Sequence, residues 1–219
     1  MGNLLQKLDG FKECSYQNGK RIALFIYYRR FKEKIYNRFF LGRKDFHIDP
    51  SSQILGLKYM KIGKNFSAGK HFWIEAVLEY NGKNFSPEII IGDNVSFSDF
   101  GHVGATNCVK IGNNVLFGSK CYVTDHNHGI YRGTNISNPE VPPAKRSLTV
   151  DQKVVIEDNV WVGDGVTILP GVTVGRCSII GTNAVVTKDI PPYTICIGMP
   201  AKPIKKWNFE KAVWVKFTD

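Results

Sequence analysis

Cysteine, acidic side chains and long apolar runs are all scarce in this 219-residue chain. The five cysteines (Cys14, Cys108, Cys121, Cys177, Cys196) are odd in number, widely spaced and without a C-x-x-C pair. That argues against a disulfide framework or a thiolate zinc site and suits a reducing cytoplasm. The longest apolar run near the N-terminus, Ile22 to Tyr28, is far too short to span a bilayer, and no charged-then-apolar signal segment opens the chain. The expectation is a soluble cytoplasmic protein, at most peripheral at the inner membrane face. Only 19 Asp+Glu stand against 29 Lys+Arg, a formal net charge of +10 that favours acidic partners. Runs of four to eight alternating apolar and polar residues are also missing, which argues against an ordinary β-sandwich.

What is present is a six-residue beat. From Ile156 the chain reads IEDNVW, VGDGVT, ILPGVT, VGRCSI, IGTNAV, VTKDIP, so Ile156, Val162, Ile168, Val174, Ile180 and Val186 recur without a slip. Ile62, Ala68 and Ile74 keep the same beat, as do Ile91, Phe97 and Val103; Ile111, Phe117 and Val123 resume it after a two-residue offset. A period of six matches neither a helix nor a single strand. It fits a short strand plus a turn with one large apolar residue pointing inward per unit, and Gly, Asn and Asp (Gly63, Asn65, Gly92, Asn94, Gly112, Asn114) fill the turns. Stacked units make parallel strands, each coil closing the apolar floor of the next. The expected architecture is mainly β, a parallel β-helix over 49–203.

Three segments break the beat. Over residues 1–48, Leu24, Tyr28, Phe31, Ile35 and Phe39 form one helical stripe among Lys and Arg, which predicts a basic amphipathic helical segment. It has two readings: packing on the β-helix or a neighbouring subunit, or contact with a membrane surface. Residues 125–153 contain no repeat and three prolines, and must loop out; long loops in compact folds are usually functional. Residues 204–219, KKWNFEKAVWVKF and beyond, are read as a short C-terminal helix capping the open end of the β-helix. The positive charge sits at the two ends with no recognition motif, which argues against nucleic-acid binding.

The sharpest chemical feature is TDHNHGIY, Thr124 to Tyr131, where the coil breaks into the loop. A histidine there can act as a general base near neutral pH. The bland reading is a solvated turn, and a third reading is a zinc site of His102, His126 and His128. The second feature is IPPYTICIGMPAKPIKK, in which Pro191 and Pro192 end the last strand and lysines follow a tight turn. Those lysines could hold phosphates, or could be plain solvated surface.

IGNNVLFGSKCYVTDHNHG, IEDNVWVGDGVTILPGVTVGRCSIIGTNAVVTKDIPP and IGMPAKPIKK, in that order over residues 54–206, resemble the hexapeptide-repeat acyltransferases. DHNHG and the WNFEKAVW tail look most like the O-antigen and exopolysaccharide O-acetyltransferases. The resemblance implies a left-handed coil, a homotrimer with active sites between subunits, acetyl-CoA as donor with no metal, and a saccharide hydroxyl as acceptor. It implies that His126 is the catalytic base and that Asp99, His102 and His128 lie toward the acceptor. Trp161 and Asp164 match positions along the pantetheine channel, and Thr182, Thr187 and Lys188 match CoA contacts on the final coils. Lys202 and Lys205 match positions near the nucleotide phosphates, where lysine keeps the charge of an arginine but loses its bidentate fork.

The implied reaction is direct acetyl transfer, His126 taking the proton of the sugar hydroxyl while backbone amides stabilise the oxyanion. Cys108 and Cys177 fall inside the repeat as small apolar fillers, so no acyl-enzyme is expected. The competing readings are a γ-class carbonic-anhydrase-like zinc enzyme and a non-catalytic β-helix binding protein.

Overall fold

The structure, a computed structural model, describes residues 2–131, 133–149 and 152–218, with side chains from Asp9 onward. Met1, Arg132, Val150, Asp151 and Asp219 of the segments named above lie outside the described residues. Three sheets of nine, six and five strands make up the body, and consecutive short strands visit them in turn. Val155 and Ile156 pair in parallel with Thr173 and Val174, Val162 pairs with Ile180, and Ile168 pairs with Val186. One coil therefore takes three six-residue units, and the residue on the beat is the buried one: Ile74, Val103, Phe117, Val123, Ile156, Val162, Ile168 and Ile180 have no accessible surface. Aromatic rings fill the N-terminal coils, with Phe97 and Phe117 stacked at 3.9 Å and Phe72 at 4.8 Å from Phe97. Gly101 is the small residue that admits them, because a Cβ there would lie 2.9 Å from Phe97.

The coils are locked at their corners by a repeated device. Gly63, Gly92 and Gly112 each precede an amide that donates to a side chain of the next coil: Lys64 to Asp93 at 2.7 Å, Asp93 to Asn113 at 2.8 Å, Asn113 to Asp158 at 2.6 Å. A side chain on the glycine would occupy the acceptor's place. Beside this ladder runs a second one, Asn65 to Asn94 to Asn114 to Asn159, with each residue at φ between 55° and 59°. Asparagine tolerates that left-handed backbone and hydrogen-bonds its own kind, so the G-x-N spelling of the turns is a coil-to-coil bonding pattern.

Departures from the six-residue spacing all fall at one corner, between the six-stranded and five-stranded sheets. Two extra residues lie between Ile54 and Ile62, and two more, Thr106 and Asn107, between Val103 and Ile111. A hairpin, Glu79–Tyr80 with Lys83–Asn84, is inserted between Ile74 and Ile91. Between Val123 and Ile156 the chain leaves the body and returns.

Both ends of the coil are covered. Helices α1 (Gly2–Asn18) and α2 (Lys20–Ile35) are followed by one π-helical turn, Tyr36–Phe40. From that turn the buried Asn37 donates to the carbonyl of Ile48 at 3.1 Å and accepts from its amide at 3.3 Å. Its side-chain amide thereby stands in for a neighbouring strand at the first edge.

The C-terminal end corrects the expected helix over 204–219. Strands Lys202–Asn208 and Val213–Lys216 add to Thr194–Ile197 as an antiparallel hairpin, with Trp207 opposite Trp214 at 5.4 Å. The open strand edge of the last coil needs backbone partners, and aromatic and β-branched residues on alternate positions supply a strand more readily than a helix.

The corner ladder makes a direct prediction. A Cβ at Gly112 would sit 2.3 Å from Asp158 Oδ1 and 2.8 Å from its amide nitrogen. Gly112→Ala should lower unfolding free energy by about 1–3 kcal/mol, measured by urea denaturation; unchanged stability would contradict the ladder's role.

Candidate functional site

The site forms where the coil opens into the 125–153 loop. Thr124 still pairs in register with Gly104, and Asp125 follows it fully buried. The two extra residues of the preceding coil give Asp125 its seat: Oδ1 accepts the amide of Thr106 at 2.8 Å and its hydroxyl at 3.2 Å, and Oδ2 accepts the amide of Asn107 at 2.8 Å. Oδ1 also lies 2.9 Å from Nδ1 of His126, with Thr124 Oγ1 at 3.1 Å from the same nitrogen. Both carboxylate oxygens are occupied as acceptors of backbone amides, and Oδ1 also accepts from the ring; in the neutral imidazole Nδ1 then carries the proton and Nε2 keeps its lone pair. The His126 side chain is 13% exposed, so one edge reaches solvent while the other is held.

That exposed edge meets a cleft of about 310 Å³, lined by Trp73, Glu75, Tyr80, His102, Tyr122 and His128 among others. Trp73, His102 and Tyr122 occupy paired positions on three successive strands. Trp73 stacks on His102 at 4.2 Å with rings 5° apart, and Tyr122 meets His102 edge-on at 5.0 Å. Gly104 keeps the floor open, since a Cβ there would come 3.4 Å from His126 Cε1 and 3.8 Å from His102 Nε2. Burial, with a smaller contribution from neighbouring His126, holds the His102 pKa below the usual histidine range, so its ring is neutral near pH 7.

The roof is ordered by polar contacts. Tyr80 Oη and Asn81 Nδ2 each donate to the Ala144 carbonyl at 2.8 Å, tying the inserted hairpin to the loop. Arg146 donates to the carbonyls of Val141 and Pro139 and to Tyr131 Oη, whose hydroxyl donates to the His128 carbonyl at 2.6 Å. His128 bridges to Leu148 across the loop base and packs edge-on against Tyr80. On the other side of that base lies a second cleft of about 470 Å³, lined by Asn127, Ile130, Tyr131, Thr149, Leu169 and Thr187.

The structure therefore brings His126, His102 and His128 together and leaves Asp99 outside. Asp99 Oδ1 accepts the Lys70 amide at 2.7 Å in the corner ladder, a structural duty like that of Asp164, whose Oδ1 accepts the Ser119 amide at 2.5 Å. Trp161 is exposed and shares one row with Ile179, Ile195 and Lys205 across the nine-stranded sheet. Thr182 and Lys188 are exposed on the last coils, and Lys202 lies in the final hairpin opposite Ile197. Among the described residues, no three His, Cys, Asp or Glu side chains converge as a metal-ligand set. Burial pushes the Cys121 thiol up to about 11 and raises Cys108 and Cys196 as well, the opposite of an activated nucleophile.

Asp125 is the residue that reasoning from the sequence left without a role. Its signal was the two-residue slip at Thr106–Asn107, which supplies the amides it binds. Trp73, Glu75 and Tyr80 gave no signal of their own, because only strand register carries them to the cleft.

The depressed pKa of His102 has a consequence for stability. The unfolded chain binds a proton on His102 more readily than the folded one, so stability is lost as pH falls from about 6.5 toward the lower folded value. Replacing it by His102→Gln should flatten the pH dependence of the melting temperature in that window. An unaltered slope would contradict the assignment.

Comparison with known proteins places this geometry. The family model for bacterial hexapeptide transferases (six repeats) matches residues 153–188, and that for the hexapeptide repeat of succinyl-transferase matches 108–136. The chain is 38% identical over 158 residues to an Escherichia coli protein named lipopolysaccharide biosynthesis O-acetyl transferase WbbJ, covering 72% of this chain and 76% of that one. It is 32% identical over 163 residues to a galactoside O-acetyltransferase of Lactococcus lactis, covering 73% and 70%. A variant of AntD, an N-acyltransferase from Bacillus cereus solved with dTDP-4-amino-4,6-dideoxyglucose and coenzyme A, shares the fold with a TM-score of 0.62 at 16% identity, over 77% of this chain and 84% of that one. On repeat, register and overall likeness alike, the chain belongs to the hexapeptide-repeat transferase family.

Proposed function

We propose that the protein transfers an acetyl group from acetyl-CoA to a sugar hydroxyl of a bacterial surface polysaccharide or its precursor, with His126 as general base. The observation that carries this reading is the buried Asp125 holding Nδ1 of His126 at 2.9 Å while the ring lines an aromatic cleft. Nε2 takes up the proton of the acceptor hydroxyl as its oxygen bonds to the thioester carbonyl carbon; Asp125 stabilises the imidazolium, which returns the proton to the thiolate of CoA as the C–S bond breaks. The relatives named as a lipopolysaccharide O-acetyl transferase and a galactoside O-acetyltransferase support oxygen, not nitrogen, as the acylated atom.

The Trp73–His102–Tyr122 row, with Glu75 beside it, offers the acceptor apolar ring edges and one half-buried carboxylate. His102 and His128 orient it. The donor fits the opposite side of the loop base, where the second cleft mixes Ile130, Tyr131 and Leu169 with Thr149 and Thr187. When bound there, acetyl-CoA supplies the activated thioester. Trp161 and Lys205, sharing one row of the nine-stranded sheet, suit a long ligand with an anionic end, and Lys202 and Lys188 add charge. Thr182 and Asp164 serve that groove through the turns they shape. The same reading includes a left-handed coil, a homotrimer whose clefts are completed by neighbouring subunits, and a cytoplasmic setting in which five unpaired cysteines stay reduced.

His126→Ala should lower kcat by about a hundredfold to ten-thousandfold while the thermal shift given by CoA persists. Near-normal turnover would overturn the assignment. Asp125→Asn should reduce kcat with KM nearly unchanged and move the pH profile of kcat, because an amide no longer enforces the Nδ1–H tautomer. An altered melting temperature with an unchanged pH profile would reduce Asp125 to a structural residue.

A further inference from the structure

The helical stripe at the N-terminus stays largely exposed among the described residues. Leu24, Tyr28, Phe31, Ile35 and Phe39 keep their helical spacing, yet Leu24 is 60% exposed, Phe31 61%, Phe39 74% and the adjacent Phe40 75%. Soluble domains rarely leave aromatic residues standing in a contiguous row, and such a row marks a contact surface.

Charge says what kind. Residues 20–44 hold nine Lys/Arg and one acid, Glu33, a net +8 of the chain's +10. Arg43 is paired with Asp45 and Arg29 with Asp49, while Glu33 is paired with His47. Lys20, Arg21, Lys34, Arg38 and Lys44 have no carboxylate partner among the described residues. Lys34, Arg38 and Lys44 line one small pocket of about 190 Å³ with Asn37 and His47, and the exposed Phe39 and Phe40 follow Arg38 in the chain. Unpaired cations flanking exposed aromatic and aliphatic side chains form the pattern of a helix that lies in a bilayer interface, its apolar side among acyl chains and its cations among headgroup phosphates.

We propose that residues 20–44 dock the protein on an anionic phospholipid surface. A second copy of the chain fits this surface poorly, because the symmetric contact would set +8 against +8 with no acidic patch in the segment to answer it. A nucleic acid would satisfy the cations but leaves Leu24 and Ile35 without a role, since aliphatic side chains offer no plane for a base to stack on. No helix among the described residues is long and apolar enough to cross a membrane, so the contact is peripheral.

Position along the coil gives the docking a purpose, and this part rests on the proposed function. Trp73, His102 and Tyr122 lie on the second, third and fourth strands of the six-stranded sheet counted from the helical end, whereas Lys202 and Lys205 belong to the hairpin at the far end. Docking at the helices puts the acceptor cleft nearer the bilayer than the C-terminal hairpin with its lysines, the arrangement suited to a saccharide carried on a membrane lipid.

The test is sedimentation of the full chain with vesicles of equimolar phosphatidylglycerol and phosphatidylcholine, against vesicles of phosphatidylcholine alone. Binding to the anionic vesicles should exceed binding to the neutral ones by about tenfold or more. Phe39→Ser with Phe40→Ser, and separately Lys34→Glu with Arg38→Glu, should each remove most of it, while both variants keep the oligomeric mass of the parent and its thermal shift with CoA. Equal binding to the two vesicle types, no binding, or a smaller oligomer in the phenylalanine variant would overturn the proposal, the last by assigning the stripe to a subunit contact. Preferential binding of a single-stranded RNA over the anionic vesicles would overturn it too. Sedimentation reads docking without any acetyl transfer, so its failure and a failure of the proposed reaction are told apart.

Discussion

Three six-residue units must close one coil, and this constraint governs where anything else can go. A coil that gained a residue inside a strand would turn its inward Ile or Val out of the core and break the ladders to the coils on either side. Extra residues are tolerated only where they leave the stack and return to the same register. All of them do so at the corner between the six- and five-stranded sheets. Hairpin, two-residue slip and long loop thus converge on one edge, and the clefts arise from their convergence.

At that edge the fold and the chemistry share residues. Thr106 and Asn107 are surplus to the coil, and their amides would point into a buried corner with nothing to accept them. Asp125 accepts both, at a place where leaving either unmet would cost about 1–3 kcal/mol, and its remaining capacity goes to His126. A group required for packing thereby orients the ring, holding it to one tautomer without a dedicated loop contact. The arrangement follows the logic of a buried carboxylate behind a catalytic imidazole.

Much of the body was legible in the sequence because the repeat is a covalent ruler: from Ile156 to Val186, inward residues, turn residues and register follow from counting by six. The loop and its histidines were legible as an interruption of that count. Other features needed three dimensions. Asp99 and Asp164 look alike in sequence whether they bind ligand or a turn amide, and only stacking shows that each receives the amide of an earlier coil. Trp73 reaches His102 because a hairpin inserted between them leaves strand register intact. The C-terminal WNFEKAVW has a spacing compatible with a helix, and the unpaired edge of the last coil decides for a hairpin. The amphipathic stripe was visible from its spacing, but its exposure was not.

The central claim is that Asp125 holds His126 with its proton on Nδ1 and its lone pair on Nε2. Nitrogen-15 chemical shifts of the His126 ring, recorded in histidine-labelled protein at mildly alkaline pH and assigned by comparison with His126→Ala, read that directly. The expected result is a protonated Nδ1 and an unprotonated Nε2. A neutral ring with its proton on Nε2 would contradict it.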